Sequence, residues 1–454
     1  MTTERLSALD ASFLAVETPA APMHVGWVSI YDLPKDGSRP RFAALFEHLA
    51  GRFAHAPRWR RKLAPVPLGI TEPAWADDPD FDPAAHLLHA RGSELDAIVD
   101  EIFSEPLPRD RPLWQIWIAD ELADSVVLIG KAHHCMVDGT AIVELGKLLL
   151  DAEPYEERPE AEAWEPAPVP SAPERFVRAV ADRAADGAAL VLAPVKLASS
   201  PGRLRGVPGL ARTLQHTLLP PAPGGSALNR AGSPRRHHVR TSRPLDELRK
   251  IRRRFGVTPN DVVLAACAGA LRRFAGPQRL KVMVPADVRG AGDAEDGNRI
   301  SFVFLELPCD EPDPVARLHA VHAATAERAD GGEAEDLDGA FRALALAPTP
   351  VKHVLAHAFA HPRMSNLTIS SVPGPATDRY MLGCKLRSVH SAVPLTERHA
   401  LSIGVVMTAG RACFGIYADA ATLPDANRLR DDLDEAFDEL LSAAAEPGSS
   451  QQQH

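Results

Sequence analysis

His133 and His134, with Asp138 and Gly139 close behind them, are the residues whose types and spacing point most directly to chemistry. They fall in SVVLIGKAHHCMVDGTAIVELGKLLL (125–150), where a strand-like apolar run ends in the two histidines and a short connection leads into a helix-like run. An imidazole takes up a proton near neutral pH, and a positioned one contributes roughly 10² to 10⁴ in rate as a general base. Successive side chains on a strand point to opposite faces, so the two rings cannot share one cavity if the strand persists to its end. His134 falls on the face of Ala132 and Gly130, small residues that leave room for a ligand, whereas His133 falls with Lys131 and Ile129. This parity favours His134 as the working base. Asp138 stands at the strand-to-helix change, where it is expected to hold the turn by pairing with an arginine, Arg289 being the candidate.

The same residues suggest two other chemistries. Two histidines and an aspartate could hold a metal, but the spacing is not HExxH, no third ligand stands at a recognisable distance, and strand alternation separates the rings. Cys135 beside His134 could be a thiol nucleophile, but neighbours on a strand face opposite ways, so a buried small thiol is the expectation. The chain holds no GxSxG, GxGxxG or Walker loop, which argues against a serine hydrolase, a dinucleotide enzyme and an NTPase. The five cysteines are scattered and form no CxxC pair, as in a reduced cytoplasmic protein.

The elements that must position these residues can be read from periodicity. RPLWQIWIADELADSVVLIGKAHH reads as an antiparallel hairpin turning near 120–125, which sets Pro112, Leu113 and Trp114 beside the histidine end. Upstream, a strand is expected over 25–30 and helices over 42–52 and 94–104. Downstream of Asp151 the composition turns rich in Ala, Pro and Gly, with no acidic residue between Asp186 and Asp246. This stretch reads as an interdomain linker with some helix. Its leucines at 210, 214 and 218, among Arg203, Arg205 and Arg212, fit either a surface helix attracted to anionic lipid or coenzyme phosphate, or a solvated connection.

Beyond the linker, a helix over 245–254 leads to Thr258 as N-cap, Pro259 at the first helical position, then Asn260 and Asp261. Strands are expected at 280–285, 300–307, 366–372, 400–408 and 411–417, helices at 312–328 and 425–444, and a loop over 328–338. The expected organisation is a first unit at 1–150, the linker at 151–235, a second unit at 236–447 and an unstructured tail at 448–454. A chain of 454 residues with a net charge of -10 is long enough for two cores and too acidic for a general nucleic-acid binder. Neither a secretory signal nor a membrane-spanning run is apparent, so any membrane contact should be peripheral.

Taken together, HHxxxDG at 133–139 resembles the signature of the CoA-dependent acyltransferase superfamily. Pro112-Leu113-Trp114, LSALDASFLAVETPAAPMHVG at the N-terminus, LNRAGSPRR at 228–236, Asn260-Asp261, PADVRG at 285–290 and VPGP at 372–375 narrow the likeness. Their order resembles the bacterial wax ester synthase/diacylglycerol acyltransferase family over nearly the whole chain. The resemblance implies an α/β fold of two chloramphenicol acetyltransferase-like subdomains with mixed sheets and an active-site tunnel at their interface. It implies acyl transfer from acyl-CoA, a substrate rather than a cofactor, to diacylglycerol or a long-chain alcohol, with His134 as base and without an acyl-enzyme. It also implies a peripheral location on membrane or lipid droplets. Asn260 could supply a hydrogen-bond donor or position the acceptor, and Gly374 a tight turn beside the tunnel. Two departures stand out: Ser371 where Asn commonly precedes VPGP, and Met407-Thr408-Ala409-Gly410 where the family has Ser-Tyr-x-Gly. Other readings are a condensation-type enzyme with a carrier-bound donor and a non-catalytic lipid-binding protein of the same fold.

Overall fold

The computed structural model describes residues 4–137, 139–156, 164–198, 213, 215, 217–230, 232–287, 300–344, 347–408 and 410–446. Its strands, in chain order, are β1 (Glu4–Arg5), β2 (His24–Asp32), β3 (Arg61–Ala64), β4 (Ala74–Asp77), β5 (Leu87–His89), β6 (Trp114–Ala119), β7 (Ser125–His133), β8 (Arg236–Pro244), β9 (Leu280–Asp287), β10 (Ile300–Leu307), β11 (Leu367–Pro373), β12 (Tyr380–Met381), β13 (Cys384–Ala392), β14 (Leu401–Thr408) and β15 (Arg411–Asp419). The helices are α1 (Ala8–Val16), α2 (Phe42–Phe53), α3 (Leu95–Ser104), α4 (Gly139–Leu149), α5 (Ala172–Ala198), α6 (Leu245–Phe255), α7 (Pro259–Ala275), α8 (Pro314–Asp330), α9 (Glu333–Leu344), α10 (Thr349–Phe359) and α11 (Arg428–Ala445).

Two six-stranded mixed sheets carry the molecule, in the orders β12-β13-β2-β7-β6-β5 and β10-β9-β11-β14-β15-β8. The expected hairpin is β6 and β7, with Trp114 opposite Ala132. All nine residues of β7 are buried, so its apolar run is covered on both faces. Val126, Leu128 and Ala132 enter one core with Trp114 and Leu145, while Val127 and Ile129 enter another with Phe103 and Tyr417. The second sheet packs on α7, where the unbroken run Val262–Leu271 is buried against α11 and α8.

Strands β12 and β13 come late in the chain yet belong to the first sheet, β13 pairing antiparallel with β2. The expected strands and helices do not include this stretch. At the crossing of the two sheets, Ser391 of β13 rests on Gly404 and Gly415, which face each other across β14 and β15. A Cβ on Gly415 would lie 1.9 Å from the Ser391 carbonyl oxygen, and one on Gly404 would lie 2.2 Å from its Oγ. Only glycine admits so close an approach.

A second tie runs from α3 to the edge strand β8. Asp100 accepts the backbone N–H of His238 at 2.9 Å and bonds His237 Nδ1 at 2.6 Å; Ser104 Oγ accepts the Arg236 N–H at 2.9 Å, and Asp96 pairs with Arg240. The loop expected over 328–338 is instead helical on both sides of a break at Gly331–Gly332. Gly332 turns the chain with φ 66°, and Glu333 and Leu337 are buried, with Glu333 bonded to Arg328 at 2.7 Å. Acidic composition misleads there because Glu333 is buried and paired with Arg328.

Gly415→Ala should destabilise the protein by about 1–3 kcal/mol, read as a lower midpoint in urea, because the added methyl group has no room. His237 has its pKa raised above 6.5 by the hydrogen bond to Asp100, against the lowering effect of burial. Its contribution is therefore complete below the unfolded value and is lost as pH rises through the raised one. The melting temperatures of the protein and of His237→Ala should differ most in mild acid and converge at alkaline pH.

Candidate active site

The strand β7 ends at His133, and His134 begins the turn beyond it. Three backbone bonds hold this corner: His133 N–H to the Leu113 carbonyl at 2.9 Å, His134 N–H to the Met23 carbonyl at 2.8 Å, and Met136 N–H to the His133 carbonyl at 2.8 Å. Arg58 adds a fourth contact through the Met136 carbonyl at 3.0 Å. Pro112, Leu113 and Trp114 lie beside the histidines as the hairpin reading required, and all three are buried. Trp114 donates its indole N–H to the Trp59 carbonyl at 2.7 Å and stacks on Phe53, which makes this stretch the rigid support of the corner.

The two imidazoles sit in different surroundings. His133 is fully buried, and its Nδ1 accepts the Cys135 N–H at 3.1 Å. Its Nε2 therefore carries the proton of the neutral ring and faces Glu17 Oε1 at 3.5 Å. Burial, with Arg109 and His134 nearby, holds His133 well below the usual imidazole range, so the ring stays neutral. Glu17 also pairs with Arg109. Neither Glu17 nor Arg109 was singled out from the sequence, because no local spacing links them to the histidines.

His134 is half-buried and stacks on Phe13 of α1, with ring centroids 3.8 Å apart and planes 10° from parallel. Phe13 lines an apolar cavity of about 100 Å³ whose other walls include Met23, Met283, Phe302, Leu355 and Phe359, drawn from both halves of the chain. The room expected beside Gly130 is not available for a ligand: the Trp27 indole fills it, 2.0 Å from where a Cβ would stand. The cavity reaches His134 only through two of its walls, Phe13, which stacks on the ring, and Met23, whose carbonyl accepts the His134 N–H.

A second apolar cavity of about 90 Å³ lies between β2, α4 and the ends of β11 and β14, lined in part by Trp27, Leu128, Val372, Gly374 and Val406. Gly374 borders it, but the tight turn expected there is absent. Its N–H bonds the Met407 carbonyl at 2.8 Å, continuing the β11–β14 pairing, and a Cβ would meet Met407 O and Val406 Cγ1 at 2.9 Å. Close backbone approach is the reason for glycine at this position.

The start of α7 is capped as expected: Thr258 Oγ1 accepts the Asp261 N–H at 3.2 Å, and Asp261 accepts the Thr258 N–H at 2.8 Å. Asp261 also bonds His322 at 2.7 Å and Thr325 Oγ1 at 2.6 Å. Its pKa is lowered although burial opposes this, because these hydrogen bonds outweigh the desolvation. Asp261 is thus committed to structure, while Asn260 is half-buried and takes no part in the cap. Gly139 opens α4. Asp138 and Arg289, and with them the expected pairing, lie outside the described residues.

Cys135 is buried, and burial pushes its thiol well up, so it is held as the unreactive thiol. Among the described residues one group has its donor atoms close enough for a metal, His89, Asp120 and Glu121. Asp120 there already accepts the N–H of Phe42 at 3.0 Å and bonds His89 at 2.7 Å, and Glu121 accepts the Gly92 N–H at 3.3 Å, so the group is explained as packing around the start of α2.

Residues 6–263 match the model of the wax ester synthase/diacylglycerol acyltransferase catalytic domain, and residues 296–441 match that of the family's C-terminal domain. Rv1760 of Mycobacterium tuberculosis, named as a candidate diacylglycerol O-acyltransferase, is 32% identical over 97% of this chain and 91% of its own. Among solved structures, the wax ester synthase/diacylglycerol acyltransferase of Marinobacter aquaeolei VT8 is similar with a TM-score of 0.70 at 24% identity, covering 98% of this chain and all of that one. The first condensation domain of the calcium-dependent antibiotic synthetase is similar with a TM-score of 0.62 at 18% identity, covering 98% and 97%. These likenesses carry the two-subdomain fold.

Asp261→Ala should lower stability by about 1–2 kcal/mol through loss of the cap, more if His322 and Thr325 fail to find new partners. Chemical denaturation measures the loss. The turnover of the fraction that remains folded should change little.

Proposed function

Since the chain belongs to the wax ester synthase/diacylglycerol acyltransferase family, we propose that it moves a fatty acyl group from acyl-CoA to a lipid hydroxyl, with His134 as general base. The acceptor is a diacylglycerol or a long-chain alcohol, and the enzyme works at the surface of a membrane or lipid droplet. No helix of the described residues is long and apolar enough to cross a bilayer. One observation carries the reading: His134 stacks on Phe13, and Phe13 is a wall of an apolar cavity built from both halves of the chain. An apolar room beside an imidazole suits a hydroxyl or thioester borne on an alkyl chain.

The chemistry follows from what each group can do. A thioester is already activated and needs a base, a donor for the developing oxyanion and proximity rather than an enzyme nucleophile. His134 takes the acceptor's hydroxyl proton as the oxygen attacks the thioester carbonyl. The tetrahedral intermediate collapses, the carbon–sulfur bond breaks, and the departing CoA sulfur receives the proton back from His134. His133 stays neutral, with Nδ1 engaged by the Cys135 N–H, which leaves His134 as the imidazole of the pair for proton transfer. Asn260, not used by the helix cap, serves as a polar contact for the oxyanion or the acceptor. The second cavity takes one alkyl chain. Its Val372–Pro375 and Val406 wall adjoins Ser371 and Met407, so the family departures fall where chain preference would be set.

His134→Ala should lower CoA release from palmitoyl-CoA by roughly 10² to 10⁴-fold, measured as free thiol with a diacylglycerol and with hexadecanol as acceptors. Cys135→Ala should retain the rate. A folded His134→Ala protein that esterifies either acceptor at the original rate would remove the base assignment, and lipid retention without thiol release in the unaltered protein would favour a binding role.

A further inference from the structure

Large apolar side chains exposed to water are few among the described residues, and they are not scattered. Seven of the nine are Leu68, Val177, Val180, Leu218, Leu219, Val351 and Val354. Hydrogen bonds bring the segments that carry these seven together around α10. Arg183 of α5 bonds the Ile70 carbonyl at 3.2 Å and Thr349 at the start of α10, which joins the loop of Leu68 and the valines of α5 to that helix. At 1.5 Å per residue, Val180 lies about 5 Å along its helix from Arg183, and Val351 and Val354 about 3 and 8 Å along theirs from Thr349. At the far end of α10 the Ala222 N–H bonds the Arg363 carbonyl at 2.8 Å, and Lys281 Nζ holds the carbonyls of Thr217 and Pro220 at 2.7 and 2.9 Å. Leu218 and Leu219 are therefore fixed beside that end.

The inner face of α10 is the wall of the cavity next to Phe13 and His134, contributed by Lys352, Leu355, Ala356 and Phe359. Lys352 is pinned to Glu72 at 3.2 Å. One helix thus separates an apolar cavity from an outer surface on which Val351 and Val354 stand exposed beside His353 and His357. Val351 is 45% exposed and Val354 69%, values that water alone would not favour for neighbours on one helix.

Charge selects the occupant. The chain as a whole carries -10, yet no acidic residue occurs between Asp338 and Asp378, which includes all of α10, or between Asp186 and Asp246, which includes Leu218 and Leu219. The carboxylates that border the face are engaged or stand among cations: Glu306 and Glu327 line a pocket with Leu219, together with Arg279, Lys281 and Arg328. Glu72 is bonded to Lys352, Asp186 to Arg5 at 3.1 Å, Asp182 lies 3.8 Å from Arg5, and Glu174 is bonded to Ser171. Arg178 and Arg363 are exposed. An apolar face poor in acid on an otherwise acidic protein is complementary to a lipid layer with anionic headgroups.

We propose that the face formed by the outer side of α10, the exposed valines of α5 and Leu218–Leu219 docks on an anionic lipid surface and sets the cavity beside His134 against the layer that holds the lipid acceptor. This rests on the acyltransferase reading for its purpose, though not for its geometry. The full chain is floated with phosphatidylcholine vesicles with and without phosphatidylglycerol. Val351→Ser/Val354→Ser and Leu218→Ser/Leu219→Ser should each lower the bound fraction roughly ten-fold or more, since each apolar side chain returned to water is worth about that factor. Tyr155→Ser, at an exposed apolar residue outside the patch, should bind as the unaltered protein does. Val354→Trp should show a blue shift of tryptophan emission when the phosphatidylglycerol vesicles are added. Thiol release with a short-chain alcohol in solution should be unchanged in the serine variants, while transfer to vesicle-borne acceptor falls. If the acyltransferase reading fails, thiol release is absent in every protein, and flotation still decides the docking face. The proposal is overturned if both serine pairs float like the original and the Val354→Trp emission does not move. It is also overturned if the unaltered protein is a dimer that the same substitutions dissociate without changing flotation, which would assign the face to a second copy.

Discussion

The contact of Ser391 with Gly404 and Gly415 is the constraint on which the arrangement of the two sheets depends. Strand β13 is hydrogen-bonded into the first sheet through β2, but it lies against the second sheet, where the Ser391 carbonyl leaves no room for a side chain on Gly415 and its hydroxyl none on Gly404. Two sheets meeting through so narrow a window cannot slide without losing the fit, because protein interiors are packed at crystal-like density. The α3–β8 bonds add polar direction to the same junction. The apolar cavities are the spaces left where the sheets and helices of the two halves do not close.

Within that frame the two histidines sit in different surroundings. His133 contributes a buried neutral ring that accepts a backbone N–H and faces Glu17, and it ties the end of β7 to the turn. His134 leaves the strand and lies against Phe13, whose ring is a wall of the apolar cavity. Strand parity also sets the two rings in different surroundings, but on a different ground. The expected space beside Gly130 is filled by Trp27, and the separation comes from the strand ending one residue before His134.

Much of the local structure was legible because it depends on nearby residues. The β6–β7 hairpin follows from alternation and a polar turn, and the Thr258–Asp261 box follows from the preferences of a helix start. The helix through 333–344 was not legible, since its acidic residues look like a loop until Arg328 and the buried Leu337 are seen beside them. Nor was β13, whose exposed and buried residues make sense only after β2 is placed next to it.

The sequence alone determined the family, the hairpin that carries the histidines and the apolar helix that supports the second sheet. Each of these is written in short-range spacing or in motifs whose order along the chain is itself the signal. Only the tertiary structure decided where the apolar cavities lie, that Trp27 closes one side of β7, that Glu17 and Arg109 stand behind His133, and which valines and leucines are left exposed. The physical reason is that cavities, ion pairs and surface patches are made by residues far apart in the chain. Their meeting is set by how two sheets pack, and no local pattern encodes that.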